Sequence, residues 1–216
     1  MPVPIILASP SGGGKTTIAQ QLLATRRDLG YSVSCTTREP RPGEAEGKDY
    51  YFLSKKQFRE RAAAGHFAEH ATVHGELYGT LRSEIQRVLA SGRSVIMDID
   101  VQGTKQFVQA FPDSVLIFIL PPSSAAMVAR LEARGTEDVT ALIRRLRSAK
   151  DELKAIDLYE FVVVNDDLDS AVAAVSSIID GNGERFKRSH DGELAARVEE
   201  LMEGIQRAID QYSARK

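Results

Sequence analysis

Ser9-Pro10-Ser11-Gly12-Gly13-Gly14-Lys15-Thr16 decides how this chain folds. An apolar run from Val3 to Ala8, interrupted only by Pro4, precedes it. After it come Thr17 and Ile18-Ala19-Gln20-Gln21-Leu22-Leu23, with Ile18, Leu22 and Leu23 at helical spacing. The context is strand, glycine-rich turn, helix, the setting in which such a turn holds phosphate. Glycines let the backbone curl until its N–H groups face a polyphosphate. The helix N-terminus adds roughly half a positive charge. Lys15 reaches toward outer phosphates, and the Thr16 hydroxyl suits Mg²⁺. The pattern G-x-x-x-x-G-K-[ST] opens with glycine, and here that place is Ser9. A positive φ there would cost Ser9 on the order of 1 kcal/mol, and Gly13 is placed to take up part of the turn.

The chain has 216 residues, enough for one full core with small insertions. Its apolar share of 43% and charged share of 27% read as an ordinary globular protein. The net charge of −2 gives no global field toward nucleic acid or an anionic membrane, so anion binding must come from local arginines. The one cysteine, Cys35, excludes an internal disulfide and suits a reducing compartment; it is read as a small buried residue or a reactive thiol. The N-terminal apolar run is too short for a secretory signal, and nothing approaches the ~20 apolar residues of a membrane span. A cytoplasmic enzyme is expected.

A parallel sheet follows from the apolar runs at 3–8, 94–99, 115–120 and 161–165, with helices between them. Helices are expected at 15–26, 55–65, 81–90, 101–110, 123–134, about 137–153, 168–179 and from about 191. In the sixth of these, Leu142, Leu146, Ala149 and Leu153 share a face, and Thr136 is a plausible N-cap. Between 31 and 80 the rhythm changes to short alternating strands at 31–34, from about 51, and at 67–73, with a proline-rich loop, Thr36 to Glu44. This reads as an inserted subdomain. The division expected is a core at 1–30 and 81–180 (lid about 123–155), the insert at 31–80 and a helical extension at 181–216. In the extension a basic patch, Arg185, Lys187 and Arg188, precedes Leu194, Val198, Leu201, Ile205, Ala208 and Tyr212 at heptad spacing. That seam packs either on its own chain or on a second copy.

The set Ser34…Thr37-Arg38-x-Pro40-Arg41-x-Gly43-Glu44…Gly47-Lys48-Asp49-Tyr50-Tyr51-Phe52 closely resembles guanylate kinases. So do Glu69-His70-Ala71…Tyr78-Gly79-Thr80 and Asp98-Ile99-Asp100-Val101-Gln102-Gly103. The resemblance spans roughly residues 3–180. It implies an α/β fold of the P-loop NTPase type: a parallel sheet flanked by helices, an inserted mixed-strand GMP-binding subdomain and a helical lid. It also implies transfer of phosphate from ATP, with Mg²⁺, to GMP or dGMP.

Residue chemistry gives the same assignment. Arginine forks hold a monophosphate dianion, which suits Arg38 and Arg41, with the Tyr50 and Tyr78 hydroxyls as further donors. Guanine offers N1–H and N2–H₂ on one edge, and one carboxylate accepts from both. The resemblance places Glu69 there, with Ser34 and Thr80 beside it, and Asp100 near GMP. Asp98 ends its strand as a Walker-B acid does, and with Thr16 is the expected Mg²⁺ ligand, partly through water. Ser11, Gly12, Gly13, Gly14, Lys15, Thr16 and Thr17 are the expected ATP contacts, and the resemblance implies Asn165 on the adenine side. The resemblance implies that Arg130, Arg134 and Arg145 flank or form the lid, and with Lys15 they are the expected catalytic cations. Arg144 and Arg147 read as solvated. His66, His70 and His74, spaced by four, invite a metal reading, against which His70 belongs to the motif above. Two alternatives are an inactive guanylate-kinase-like protein-binding module and a kinase of a phosphorylated sugar. Such modules carry degraded P-loops, whereas Lys15, Thr16 and Asp98 stand here; sugar-phosphate kinases lack the full 38–50 loop.

Overall fold

The structure, a computed structural model, describes residues 1–73, 75–133 and 139–214. The elements run β1 (Pro4–Ala8), α1 (Lys15–Thr25), β2 (Leu29–Tyr31), β3 (Ser34–Thr36), β4 (Tyr51–Phe52), α2 (Lys55–Ala63), β5 (Phe67–Val73), β6 (Glu76–Leu81) and α3 (Arg82–Ala90). They continue with β7 (Ser94–Asp98), α4 (Val101–Ala110), β8 (Val115–Leu120), α5 (Ser124–Ala133), α6 (Val139–Leu153), β9 (Phe161–Val164), α7 (Leu168–Ile179) and α8 (Leu194–Ser213). Five strands form a sheet in the order β2-β7-β1-β8-β9, and four form a second sheet in the order β4-β3-β6-β5. The β2–β7 and β8–β9 ladders are parallel. Ile5 to Leu7, Val95 to Met97 and Ile117 to Leu120 are buried, as strands covered on both faces must be. The second sheet is mixed, with β3–β4 parallel and β3–β6 and β5–β6 antiparallel.

The chain divides into two compact units, Met1–Ile6 with Leu23–Val115, and Leu7–Leu22 with Leu116–Lys216. In the first, the mixed sheet packs its own core from Cys35, Phe58, Phe67 and Leu81, with Tyr51, Leu53, Ala62 and Leu77 around it. The Phe58 and Phe67 rings stack at 4.4 Å. Burial pushes the Cys35 thiol up to about 12, which leaves it a small apolar residue at neutral pH. Ser54 and Gln57 close a capping box on α2. The strand expected at 31–34 is two strands. Leu29 to Tyr31 pairs with β7, the chain turns at Ser32-Val33, and Ser34 to Thr36 enters the other sheet. Gly30 hides the first of these in the sequence. A Cβ there would meet Val88 Cγ1 at 2.5 Å, so glycine is set by α3 packing over the strand.

In the second unit α8 packs against α5 and α6. Leu142, Leu146, Ala149 and Leu153 are buried as their spacing predicts. Leu194, Leu201 and Ile205 of the heptad seam are buried with Gly204 and Ile209. A Cβ on Gly204 would run into the Ser124 hydroxyl, so this helix crossing is close. The three buried seam residues pack on their own chain, whereas Val198, Ala208 and Tyr212 are half-buried. The basic patch is absorbed locally. Arg188 Nε donates to the Tyr159 carbonyl at 3.3 Å and Nη1 to Asp157 at 3.0 Å. Lys187 pairs with Glu184, and the Arg185 guanidinium lies over the Phe186 ring. Thr136, Arg134 and His74 lie outside the described residues. Among those described, no helix is long and apolar enough to cross a membrane, and no three His, Cys, Asp or Glu side chains gather as a metal site.

Candidate active site

Antiparallel register lines up the predicted base-edge residues in the first unit. Ser34 of β3 faces Thr80 of β6, and Thr80 faces Glu69 of β5. A bulge makes this row possible. Phe67 pairs with Leu81 and Glu69 with Thr80, so Ala68 is the extra residue, and Phe67, Ala68 and Glu69 are all buried. Glu69 is only 6% exposed, and its Oε1 accepts the Thr80 hydroxyl at 2.6 Å. Burial is the main force pushing its carboxyl up to about 7; the Thr80 hydrogen bond opposes that and the Asp100 charge adds to it. A Cβ on Gly103, in the first turn of α4, would run into Glu69 Oε2. Glycine at 103 is thus the clearance that admits the Glu69 carboxylate, a requirement that sequence reasoning missed. Asp100 is the N-cap of α4, its Oδ1 accepting the Gly103 N–H at 2.7 Å. Gln106 of the same helix donates to the His70 carbonyl and accepts its N–H, covering the β5 edge.

Arg38 and Arg41 sit on the proline-rich loop after β3. Arg38 Nη2 donates to both Glu44 oxygens, at 2.8 and 2.9 Å, and Nη1 to the Glu39 carbonyl at 2.6 Å. Its guanidinium lies 5.5 Å from the Tyr50 ring centroid. Glu44 Oε2 also accepts the Arg41 N–H at 2.8 Å, so one carboxylate shapes the loop and holds Arg38 in place. Nothing in the sequence alone gives Glu44 this role. The Tyr50 and Tyr78 rings meet edge-on at 6.1 Å. Burial first, then the Asp98 charge, pushes the Tyr50 hydroxyl up to about 12, so it remains a donor at neutral pH. Asp98, at the end of β7, accepts the Tyr31 hydroxyl at 3.1 Å.

In the second unit the glycine loop enters α1 at Lys15. Gly12 and Gly14 have φ of 87° and 93°, and Gly13 is not among the positive-φ glycines. The left-handed turns expected of Gly13 thus fall to its neighbours. Ser9, Gly12 and Gly13 are buried, Ser11, Gly14 and Lys15 half-buried, and Thr16 and Thr17 exposed. Asn165, expected beside adenine, is 5% exposed, and its Nδ2 donates to the Gly13 carbonyl at 2.8 Å. A Cβ on Gly14 would run into that amide. Arg130 Nη2 donates to the Asn165 carbonyl at 3.0 Å. Its Nη1 is buried with no hydrogen-bond partner among the described residues and lies 3.9 Å from where a Gly14 Cβ would be. A buried guanidinium donor left unpaired beside a phosphate-type loop fits an anionic oxygen. Glu152 of α6 accepts the Ser11 N–H at 2.9 Å, a contact nothing in the sequence signals. Arg145 is half-buried on α6, with Arg144 and Arg147 exposed.

Comparison with known proteins bears on the chain as a whole. The guanylate kinase family model matches residues 1–182. The guanylate kinase of Symbiobacterium thermophilum is 44% identical over 199 residues, 92% of both chains. That of Wolbachia from Brugia malayi is 45% identical over 186 residues, 86% of this chain and 94% of its own. The crystal structure of guanylate kinase from Anaplasma phagocytophilum superposes with a TM-score of 0.68 at 33% identity, covering 92% of this chain and 94% of that one. With a glycine loop, an arginine-bearing insert and a buried Glu–Thr pair carried on a fold shared over nearly its whole length, the chain belongs to the guanylate kinase family.

Proposed function

We propose that this chain is a guanylate kinase, transferring the γ-phosphoryl group of ATP to GMP to give ADP and GDP. The observation that carries the reading is the Ser34–Thr80–Glu69 row, which buries a carboxylate where only a partner with paired donors repays its desolvation. In this reading Glu69 accepts guanine N1–H and N2–H₂, with Ser34 and Thr80 at the adjoining edge. Arg38, Arg41, Tyr50 and Tyr78 hold the GMP phosphate, with Asp100 nearby. The resemblance to guanylate kinases extends this reading to dGMP. Adenine presents neither donor of that edge and leaves Glu69 without its base-side partners, which costs about 1–3 kcal/mol per lost bond.

The loop from Ser11 to Thr17 cradles the ATP phosphates with N–H groups other than those of Ser11 and Gly13, which Glu152 and the Pro10 carbonyl take, and with Lys15 on the outer phosphates. Arg130, Arg134 and Arg145 neutralise charge on the passing phosphoryl group. In this reading the Thr16 hydroxyl and the Asp98 carboxylate would hold Mg²⁺, each supplying the kind of oxygen donor that ion takes. Bound there, Mg²⁺ supplies charge neutralisation on the phosphate oxygens. Retention of Lys15, Thr16 and Asp98 argues against an inactive binding module. A coupled assay of purified protein with ATP and Mg²⁺ tests the reading. GMP turnover should exceed that of AMP, CMP and UMP at least about a hundredfold; equal rates refute it.

A further inference from the structure

We propose that Ser9 and Gly13 form a steric exchange pair, in which the Ser9 side chain occupies the space a side chain at 13 would need, so that Ser9 is a positioning residue for the phosphate loop. The loop pattern fixes glycine at its first place and leaves the fifth open. This chain has the reverse, serine first and glycine fifth. Gly13 is not needed for a left-handed backbone, because the positive φ values fall on Gly12 and Gly14. It is needed for room. A Cβ on Gly13 would lie 2.6 Å from Ser9 Cβ, 2.9 Å from Ser9 Oγ and 3.0 Å from the Pro10 carbonyl oxygen.

Real Cβ atoms do not approach others below 3.0 Å, and both contacts below that limit belong to Ser9. Ser9 is 6% exposed, so its side chain cannot swing into solvent. The Pro10 oxygen is fixed by its own acceptance of the Gly13 N–H at 2.8 Å. The loop therefore holds a side chain at 9 or at 13 and not at both. Any displacement of residue 13 also pulls its carbonyl from Asn165 Nδ2 and shifts Gly14 and Lys15 behind it.

This inference rests on the reading of 9–16 as the ATP loop, and the test separates the two. Thermal unfolding and steady-state kinetics are measured for Ser9→Gly, Gly13→Ala and the double variant. Gly13→Ala should lower the unfolding midpoint by about 3–10 °C. It should raise the ATP KM about tenfold or more, through misplacement of the loop, with the GMP KM within about twofold. The double variant should regain most of the midpoint and an ATP KM within about threefold of the parent. A neutral Gly13→Ala, or a double variant no better than it, overturns the pair. Where Gly13→Ala yields no folded protein, a folded double variant supports the pair and an unfolded one overturns it. Midpoints that couple while the ATP KM never moves uphold the packing and overturn the loop's assignment to ATP.

Discussion

Glu69 should make GMP binding steeply dependent on pH near neutrality. Its carboxyl is held at about 7 against an ordinary 4.5, chiefly by burial. Only the ionised form accepts from both guanine donors. With a midpoint near 7 the ionised fraction falls from about 10/11 at pH 8 to about 1/11 at pH 6, a tenfold loss of binding-competent protein. The GMP phosphate itself titrates near pH 6 and adds its own slope. Glu69→Gln therefore serves as the control that keeps only the phosphate part. Titration calorimetry from pH 6 to 8, in two buffers of different ionisation enthalpy, should show the parent losing about tenfold more affinity than the variant. It should also show net proton release on GMP binding at pH 7. The same shift carries a stability signature. The folded state binds more protons than the unfolded one between 4.5 and about 7, so stability falls as pH rises through that window and levels off above it. At 1.36 kcal/mol per unit the loss is about 3 kcal/mol. Glu69→Gln removes this slope. Equal pH slopes for parent and variant, in binding and in thermal midpoint, would refute the assignment of Glu69 to the guanine edge.

Lys15→Ala should lower kcat about a thousandfold in the coupled assay while calorimetry finds GMP affinity within about twofold; a parallel collapse of GMP binding would contradict separate donor and acceptor subsites. Asn165→Ala leaves the Gly13 carbonyl without its donor, at about 1–3 kcal/mol. Its unfolding midpoint should fall by about 3–10 °C and its ATP KM should rise, with Asn165→Asp lower still because a carboxylate then faces a carbonyl. An unchanged midpoint would remove the strut from the loop. Leu201→Ala, at a position 3% exposed, should cost about 2–5 kcal/mol at every protein concentration. A midpoint that moved with concentration would return the seam to subunit pairing.

What was legible in the sequence is what short-range pattern encodes. Continuous apolar runs announced β1, β7, β8 and β9, and the 101–110 and 168–179 helices emerge with the bounds their periodicity sets. Strand β2 was hidden because its central residue is glycine for the benefit of Val88, more than fifty residues away in sequence. Gly103 escaped for the same reason, and so did the bracing role of Asn165, a residue expected only beside adenine. Each owes its role to a partner brought near by the fold, at the extreme Asn165 holding a carbonyl 152 residues back in the chain. A motif names the group that meets the ligand, but not the one that clears its space or braces it.

That distinction explains why a departure from the loop pattern is tolerable. A phosphate loop works by aiming N–H groups, and the aim depends on where Gly12 and Gly14 bend the chain and on what lies beneath it. Serine at the first place would spoil the aim if it competed for volume with a side chain at the fifth. With Gly13 there it does not, and the Asn165 amide holds the Gly13 carbonyl at 2.8 Å. Function then constrains the sum of atoms beneath the phosphates more tightly than the identity of either residue. Substitutions at 9 and 13 should accordingly be judged together, and a change at one read as neutral or ruinous only against the residue at the other.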